Sequence, residues 1–258
     1  MPAIRYIKNK VPPYVKRPIR KLFDRWQNIT RSPFKLTHEE IAALIKKPNP
    51  TILDIGCNDG TDTLAFLRVM PQAQIYCFEP DPRAIRRFKK RMESHLDKVR
   101  LFEVAVSNQT GQIDFYQSTG PTGQIDFYQS AGGDLTERDW DLSGSIRRPK
   151  HHLIDYPWVK FGKMITVSSC RLDDWCAEND VRQVDFIWMD VQGAEGDVIA
   201  GAPKILEETR FLHIEYGNNE SYEGQLSYKK LLARLPSFEV VTRYPEDVLL
   251  MNRVAKSR

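Results

Sequence analysis

From residue 51 onward, short apolar runs alternate with amphipathic stretches. Thr51–Ile55 (TILDI), Gln74–Phe78 (QIYCF), Val99–Val106 (VRLFEVAV), Val184–Met189 (VDFIWM) and Phe211–Glu215 (FLHIE) read as buried strands. Phe238–Thr242 and Val248–Met251 read as two closing strands. Helices are expected over Gly60–Val69, from Asp81-Pro82 to about Ser94, and over Leu172–Glu178, Ala194–Ala200 and Ser227–Leu235. Asp81 is a ready N-cap and Pro82 suits a first turn, where its missing N–H costs nothing. Strands alternating with helices predict crossover units and a parallel sheet covered on both faces.

Ahead of this region, Thr37-His38-Glu39-Glu40 spells a capping box, so a helix should begin there and end before Pro48. Earlier still, Ile19, Leu22, Phe23, Trp26 and Ile29 form one apolar stripe at helical spacing. Residues 1–36 form a separate arm that holds ten basic residues against one acid, Asp24, a charge of +9. The chain as a whole carries +4, so residues 37–258 carry −5. A basic, amphipathic arm on an acidic body points to an anionic partner; the apolar stripe would be buried either against the catalytic domain or in an anionic membrane surface.

The chain has 258 residues, 41% hydrophobic and 28% charged, which is ordinary globular composition. No run of about 18 apolar residues occurs and the start has no apolar secretory core, so a cytoplasmic protein, peripheral at most to the inner membrane face, is expected. Cys57, Cys77, Cys170 and Cys176 form no C-x-x-C pair and are expected as reduced thiols. The nonapeptide TGQIDFYQS occurs at Thr110–Ser118 and again at Thr122–Ser130, an offset of 12. Two copies are too few for a solenoid, and I-D-F-Y alternates as an edge strand does, so residues 110–133 read as a local duplication, two strands of one hairpin. Residues 131–165 are polar, with Trp140, His151, His152, Tyr156 and Trp158 among them, and read as a lid or substrate loop.

The strongest chemical signal follows the first strand. Asp54-Ile-Gly56-Cys57-Asn58-Asp59-Gly60 has the spacing D-x-G-x-x-x-G, unlike the G-x-G-x-x-G of a dinucleotide turn. Two carboxylates in the turn suit a cationic or zwitterionic ligand, and Gly56 and Gly60 would let the backbone approach it. Glu79 ends the second strand, where a carboxylate can accept both hydroxyls of a ribose. An amino acid at one end and a ribose at the other describe S-adenosyl-L-methionine. The expected cofactor set is Asp54, Gly56, Asn58, Asp59, Gly60, Glu79 and Ala105. A second cluster, Asp190-Val-Gln192-Gly-Ala-Glu195, ends the fourth strand, and His213 and Glu215 end the fifth on one face. Asp190, Glu215 and His213 are the candidate catalytic residues. Asp190 and Glu215 are also candidates to hold a divalent cation, while a half-buried structural histidine is the plainer reading of His213.

The stretches ILDIGCNDGTDTLAFL, YCFEPDP, AVSNQTGQIDFY, SCRLDDW and VDFIWMDVQGAEGDVIAGA, in this order over roughly residues 50–218, resemble the FkbM family of S-adenosylmethionine-dependent methyltransferases. The resemblance implies an α/β, Rossmann-like class I methyltransferase fold, a seven-stranded mostly parallel sheet in the order 3-2-1-4-5-7-6. It also implies O-methylation, often of sugar or polyketide-like hydroxyls. The chain departs from the family pattern at Trp188 (often Lys), Gln192 (often Glu) and Arg171 (often Thr). Gln192 cannot act as a base. A small-molecule or saccharide acceptor is expected, with Trp140, Tyr156 or Trp158 for stacking. A nucleic-acid methyltransferase is the alternative, but DVQG replaces the N/D-P-P-Y used on base amines and the body is acidic. A non-catalytic cofactor-binding protein is the other.

Overall fold

The computed structural model describes residues 35–120, 141–217 and 219–255. The basic arm up to residue 34 and the second copy of the repeat lie outside them. The central sheet is built from β1 (Thr51–Ile55), β2 (Gln74–Phe78), β3 (Val99–Phe102), β7 (Val184–Met189), β8 (Thr209–Glu215), β9 (Phe238–Arg243) and β10 (Asp247–Asn252). Their order is β3-β2-β1-β7-β8-β10-β9, with only β10 antiparallel to its neighbours. This is the seven-stranded class I methyltransferase arrangement. β4 (Ala105–Ser107), β5 (Gly111–Thr119) and β6 (Lys160–Arg171) form a second sheet in the order β4-β6-β5.

Alternation along each central strand feeds two apolar layers. Leu53, Ile55, Phe78, Ile187, Met189 and Ile214 point to one, around Trp175. Ile52, Ile75, Phe186 and Phe211 point to the other, around Phe66. A parallel sheet needs helices over both faces to bury these rows. The helices are α1 (His38–Ile45), α2 (Thr61–Val69), α3 (Pro82–Arg91), α4 (His152–Asp155), α5 (Leu172–Glu178), α6 (Glu195–Ala200), α7 (Pro203–Glu207) and α8 (Tyr228–Ala233). The Thr37–Glu40 capping box starts α1, Thr37 N–H donating to Glu40 Oε2 at 2.9 Å and Glu40 N–H to Thr37 Oγ1 at 3.2 Å. Asp81 caps α3 by accepting from Arg83 N–H at 2.9 Å.

Three elements differ from the sequence reading. The third apolar run is two strands, because a tight turn, Val104 N–H to Phe102 O at 2.9 Å, sends β4 into the second sheet. The long loop over 131–165 ends in strand, since β6 begins at Lys160. The first copy of the repeat is β5, and it pairs antiparallel with β6 from Gly111↔Ser169 to Thr119↔Lys160. Phe115, buried there, packs with Ala105 and Val167. The four cysteines are free thiols, as expected.

Candidate active site

β1 ends in a turn whose backbone is left-handed at Gly56 (φ 86°), Asn58 (φ 45°) and Gly60 (φ 80°). Gly56 and Cys57 N–H donate to Phe78 O at 3.0 and 3.1 Å, which ties the turn to β2. A Cβ on Gly56 would lie 1.8 Å from Asp190 O, and one on Gly60 would lie 2.8 Å from the Phe88 ring. Neighbouring protein atoms by themselves therefore require glycine at both positions. Asp59 also turns inward: it accepts from Thr61 N–H at 3.1 Å and from Thr61 Oγ1–H at 2.7 Å, and it pairs with Arg91. Asp54 lies beneath the turn, its Oδ2 accepting from Thr63 Oγ1–H at 2.6 Å. Its Oδ1 is buried with no hydrogen-bond partner, and burial pushes its carboxyl up to about 7.

A cleft of about 630 Å³, counting space open to solvent, lies at the carboxyl ends of β1, β2 and β7. Such strand ends are where ligands of open α/β sheets bind. Of the expected cofactor set, Gly56, Asn58, Glu79 and Ala105 line it, whereas Asp54, Asp59 and Gly60 do not. Glu79 is 5% exposed. Its Oε2 accepts from Asn58 N–H at 2.9 Å and its Oε1 from Asp81 N–H at 2.7 Å. Burial nonetheless pushes it up to about 8. Asp141, which the sequence did not single out, also lines the cleft; it pairs with Arg87 and lies 3.4 Å from Asn58 Nδ2.

At the other end of the cleft, Asp190, Val191 and Gln192 continue from β7. Gln192 has φ 52° and uses its whole amide. Nε2 donates to Asp190 Oδ1 at 2.7 Å and to Glu215 Oε2 at 3.0 Å. Oε1 lies 3.1 Å from the Tyr222 hydroxyl, which is also 2.9 Å from Ser143 O. Ser145 Oγ donates to Gln192 O at 2.8 Å. Burial and the Asp190 charge push Glu215 well above the carboxylate range. Glu195, at the start of α6, accepts from Gly193 N–H at 3.1 Å, and burial pushes it up to about 7.

A family profile described as Methyltransferase FkbM domain matches residues 54–244. The chain belongs to the FkbM methyltransferase family. It is 51% identical over 219 residues, 83% of this chain and 84% of the relative, to the 2-O-methyltransferase NoeI of Sinorhizobium fredii (strain NBRC 101917 / NGR234). It is 23% identical, over 76% of this chain and 75% of the relative, to the 31-O-demethyl-FK506 methyltransferase FkbM of Streptomyces tacrolimicus. A crystal structure of Methyltransferase FkbM from Methylobacillus flagellatus KT shares the fold, with a TM-score of 0.51 at 12% identity. That likeness covers 84% of this chain, which spans about half of the other. The protein is thus an enzyme, a methyltransferase that uses S-adenosyl-L-methionine.

Within this FkbM-family site, Asp190 and Glu215 meet through Gln192, but of the two only Asp190 is among the residues lining the cleft. His213, expected beside them, instead stacks on Trp188 at 4.0 Å and 14°, away from the residues lining the cleft. Neither ring nitrogen has a hydrogen bond, and burial takes it down to about 3, so it is neutral. The expected cation place between Asp190 and Glu215 is filled by the Gln192 amide. Among the described residues no group of three or more His, Cys, Asp or Glu is arranged to hold a metal ion. Asp141, Tyr222 and Ser145 were not anticipated, because their partners lie far away in sequence and no local motif marks them.

Proposed function

We propose that this FkbM-family methyltransferase methylates a hydroxyl of a saccharide, with Asp190 as the proton acceptor. The observation that carries the reading is an unbroken line of contacts from Asp190 to exposed aromatic rings. Asp190 bonds Gln192, Gln192 meets Tyr222, and Tyr222 packs on His152 at 5.4 Å between ring centroids. His152 meets Tyr156 at 4.9 Å, and Tyr156 meets Trp158 at 5.6 Å. Tyr156 is 41% exposed and Trp158 39%. Surface rings joined through this relay to a proton acceptor suit the apolar face of a sugar. Trp140, the third expected stacking residue, lies outside the described residues. Oxygen as the acceptor atom is supported by the relative named as a 2-O-methyltransferase.

S-adenosyl-L-methionine, when bound, supplies an electrophilic methyl group on sulfur. The residues present fit it: each Glu79 oxygen accepts one N–H and keeps a lone pair for a ribose hydroxyl. Gly56, Asn58 and Ala105 add walls to the same cleft. At the acceptor, Asp190 takes the hydroxyl proton as the oxygen gains the methyl group. Gln192 fixes the orientation of both carboxyl groups, and positioning of this kind supplies much of the rate in a displacement. Its amide bridge between them favours proton handling over a divalent cation.

Asp190→Asn should abolish methyl transfer to an array of saccharide acceptors while leaving S-adenosylhomocysteine affinity within about twofold of wild type. Glu79→Ala should weaken that affinity, by about 0.5–1.5 kcal/mol for each ribose hydrogen bond lost. Wild-type turnover by Asp190→Asn would overturn the assignment. No described helix is long and apolar enough to cross a membrane. The +9 arm supports a peripheral contact with an anionic membrane surface.

A further inference from the structure

A second depression lies on the outer face of the β4–β6–β5 sheet. Its floor includes Gln112, Asp114 and Tyr116, alternate residues of β5 that share one face, with Thr166 opposite Asp114 on β6. Arg147 and Arg148 help to form a wall. Counting space open to solvent, as for the cleft, the groove measures about 1070 Å³. Ile146 borders both this groove and the methyl-transfer cleft, so one stretch of chain separates the two.

We propose that this groove binds a neutral oligosaccharide portion of the acceptor, beyond the sugar that is methylated. The inference rests on the saccharide reading above. Charge is the first support. Arg147 is already committed: it donates to both Asp197 oxygens at 2.7 and 2.8 Å and to Glu223 O at 2.8 Å. The groove's ionic side chains are Asp114, Asp197 and Glu223 against Arg147 and Arg148, a balance of −1. A polyanion would be repelled there, whereas a polyol would not. Composition is the second support. Gln109, Gln112 and Thr166 offer amide and hydroxyl groups, and Tyr116 and Ile146 offer apolar surface. A pyranose needs both, because its hydroxyls ring an apolar face. Rigidity is the third. A Cβ on Gly224 would lie 2.4 Å from Arg147 Nη1, so the Arg147 wall is seated against a glycine. A preformed wall spares the ordering cost of binding.

The test is retention of the full-length protein on an array of neutral oligosaccharides, with Tyr116→Ala and the near-isosteric Asp114→Asn compared with wild type. Tyr116→Ala should lower retention about tenfold, the upper end for loss of an aromatic contact. Melting temperature and S-adenosylhomocysteine affinity should stay at wild-type values in both variants. Retention that ignores both variants but is lost in Tyr156→Ala would overturn the groove and leave the saccharide reading standing. If no neutral glycan is retained, the groove proposal fails; if none is methylated either, the saccharide reading fails with it. Salt-reversible retention on heparin in place of neutral glycans would overturn the charge argument.

Discussion

Tyr222→Phe isolates the hydroxyl that steadies Gln192. That oxygen lies 2.9 Å from Ser143 O and 3.1 Å from Gln192 Oε1. Phenylalanine keeps the ring against His152 and against Gly193, so no cavity opens. What is lost is one donor shared by two acceptors. A net hydrogen bond is worth about 0.5–1.5 kcal/mol, and a buried acceptor left unsatisfied costs about 1–3 kcal/mol. Denaturant unfolding should therefore show a loss of about 1–3 kcal/mol. The amide of Gln192 then keeps its two carboxyl partners but loses its third anchor, so Asp190 is held less firmly. We expect kcat to fall about tenfold, which corresponds to roughly 1.4 kcal/mol in the barrier. S-adenosylhomocysteine affinity, measured by calorimetry, should not change, because Tyr222 is not among the residues lining the cleft. If kcat is unchanged while stability falls, Tyr222 only packs. If neither changes, the described hydrogen bonds are not those of the working enzyme.

Stability should depend on pH. Burial holds Asp54 up to about 7, Glu79 up to about 8 and Glu195 up to about 7, so the folded state binds more protons than the unfolded state between roughly pH 4.5 and 8, and stability falls as pH rises through that window. His213, taken down to about 3 from 6.5, acts oppositely, and stability is lost as pH falls below 6.5. The three raised carboxyls outweigh the one lowered imidazole, so the melting temperature should fall as pH rises from about 5 to 8; one that climbs over that range would contradict this. Deleting residues 110–121 should leave a folded protein that still binds S-adenosylhomocysteine, since the second copy can take over the β6 pairing and an even deletion of 12 preserves side-chain alternation; insoluble expression would count against it. The full chain should sediment with anionic liposomes at low salt and be released at high salt, and Trp26→Glu should abolish sedimentation, as measured by a spin-down assay.

The central sheet was legible because its strands are buried on both faces and read as apolar runs; β1, β2 and β7 begin and end where TILDI, QIYCF and VDFIWM do. β6 was not. Most of its residues outside the C-terminal part are exposed or half-buried, so KFGKMITVSSCR shows no clean alternation of apolar and polar positions. The cleft's location was legible from strand ends, and Glu79, Asn58 and Asp190 fall there. Direction was not: nothing in D-x-G-x-x-x-G tells that Asp59 faces Arg91, which is 32 residues away. His213 shares its strand face with Glu215 as alternation requires. One position is two residues further from the strand end, and there the partner is an indole ring rather than solvent or substrate.

Gly56 N–H and Cys57 N–H hang from Phe78 O, Asp190 N–H donates to Ile55 O at 3.0 Å, and no atom larger than hydrogen fits between Gly56 Cα and Asp190 O. The turn expected to hold the methyl donor and the turn carrying the proposed base are therefore one mechanical part. Anyone reshaping the acceptor side by altering residues 190–193 should expect the donor side to drift with it. Selectivity for new hydroxyls is better sought further out, around Tyr156 and Trp158, where side chains can be exchanged without transmitting a displacement to that shared hinge.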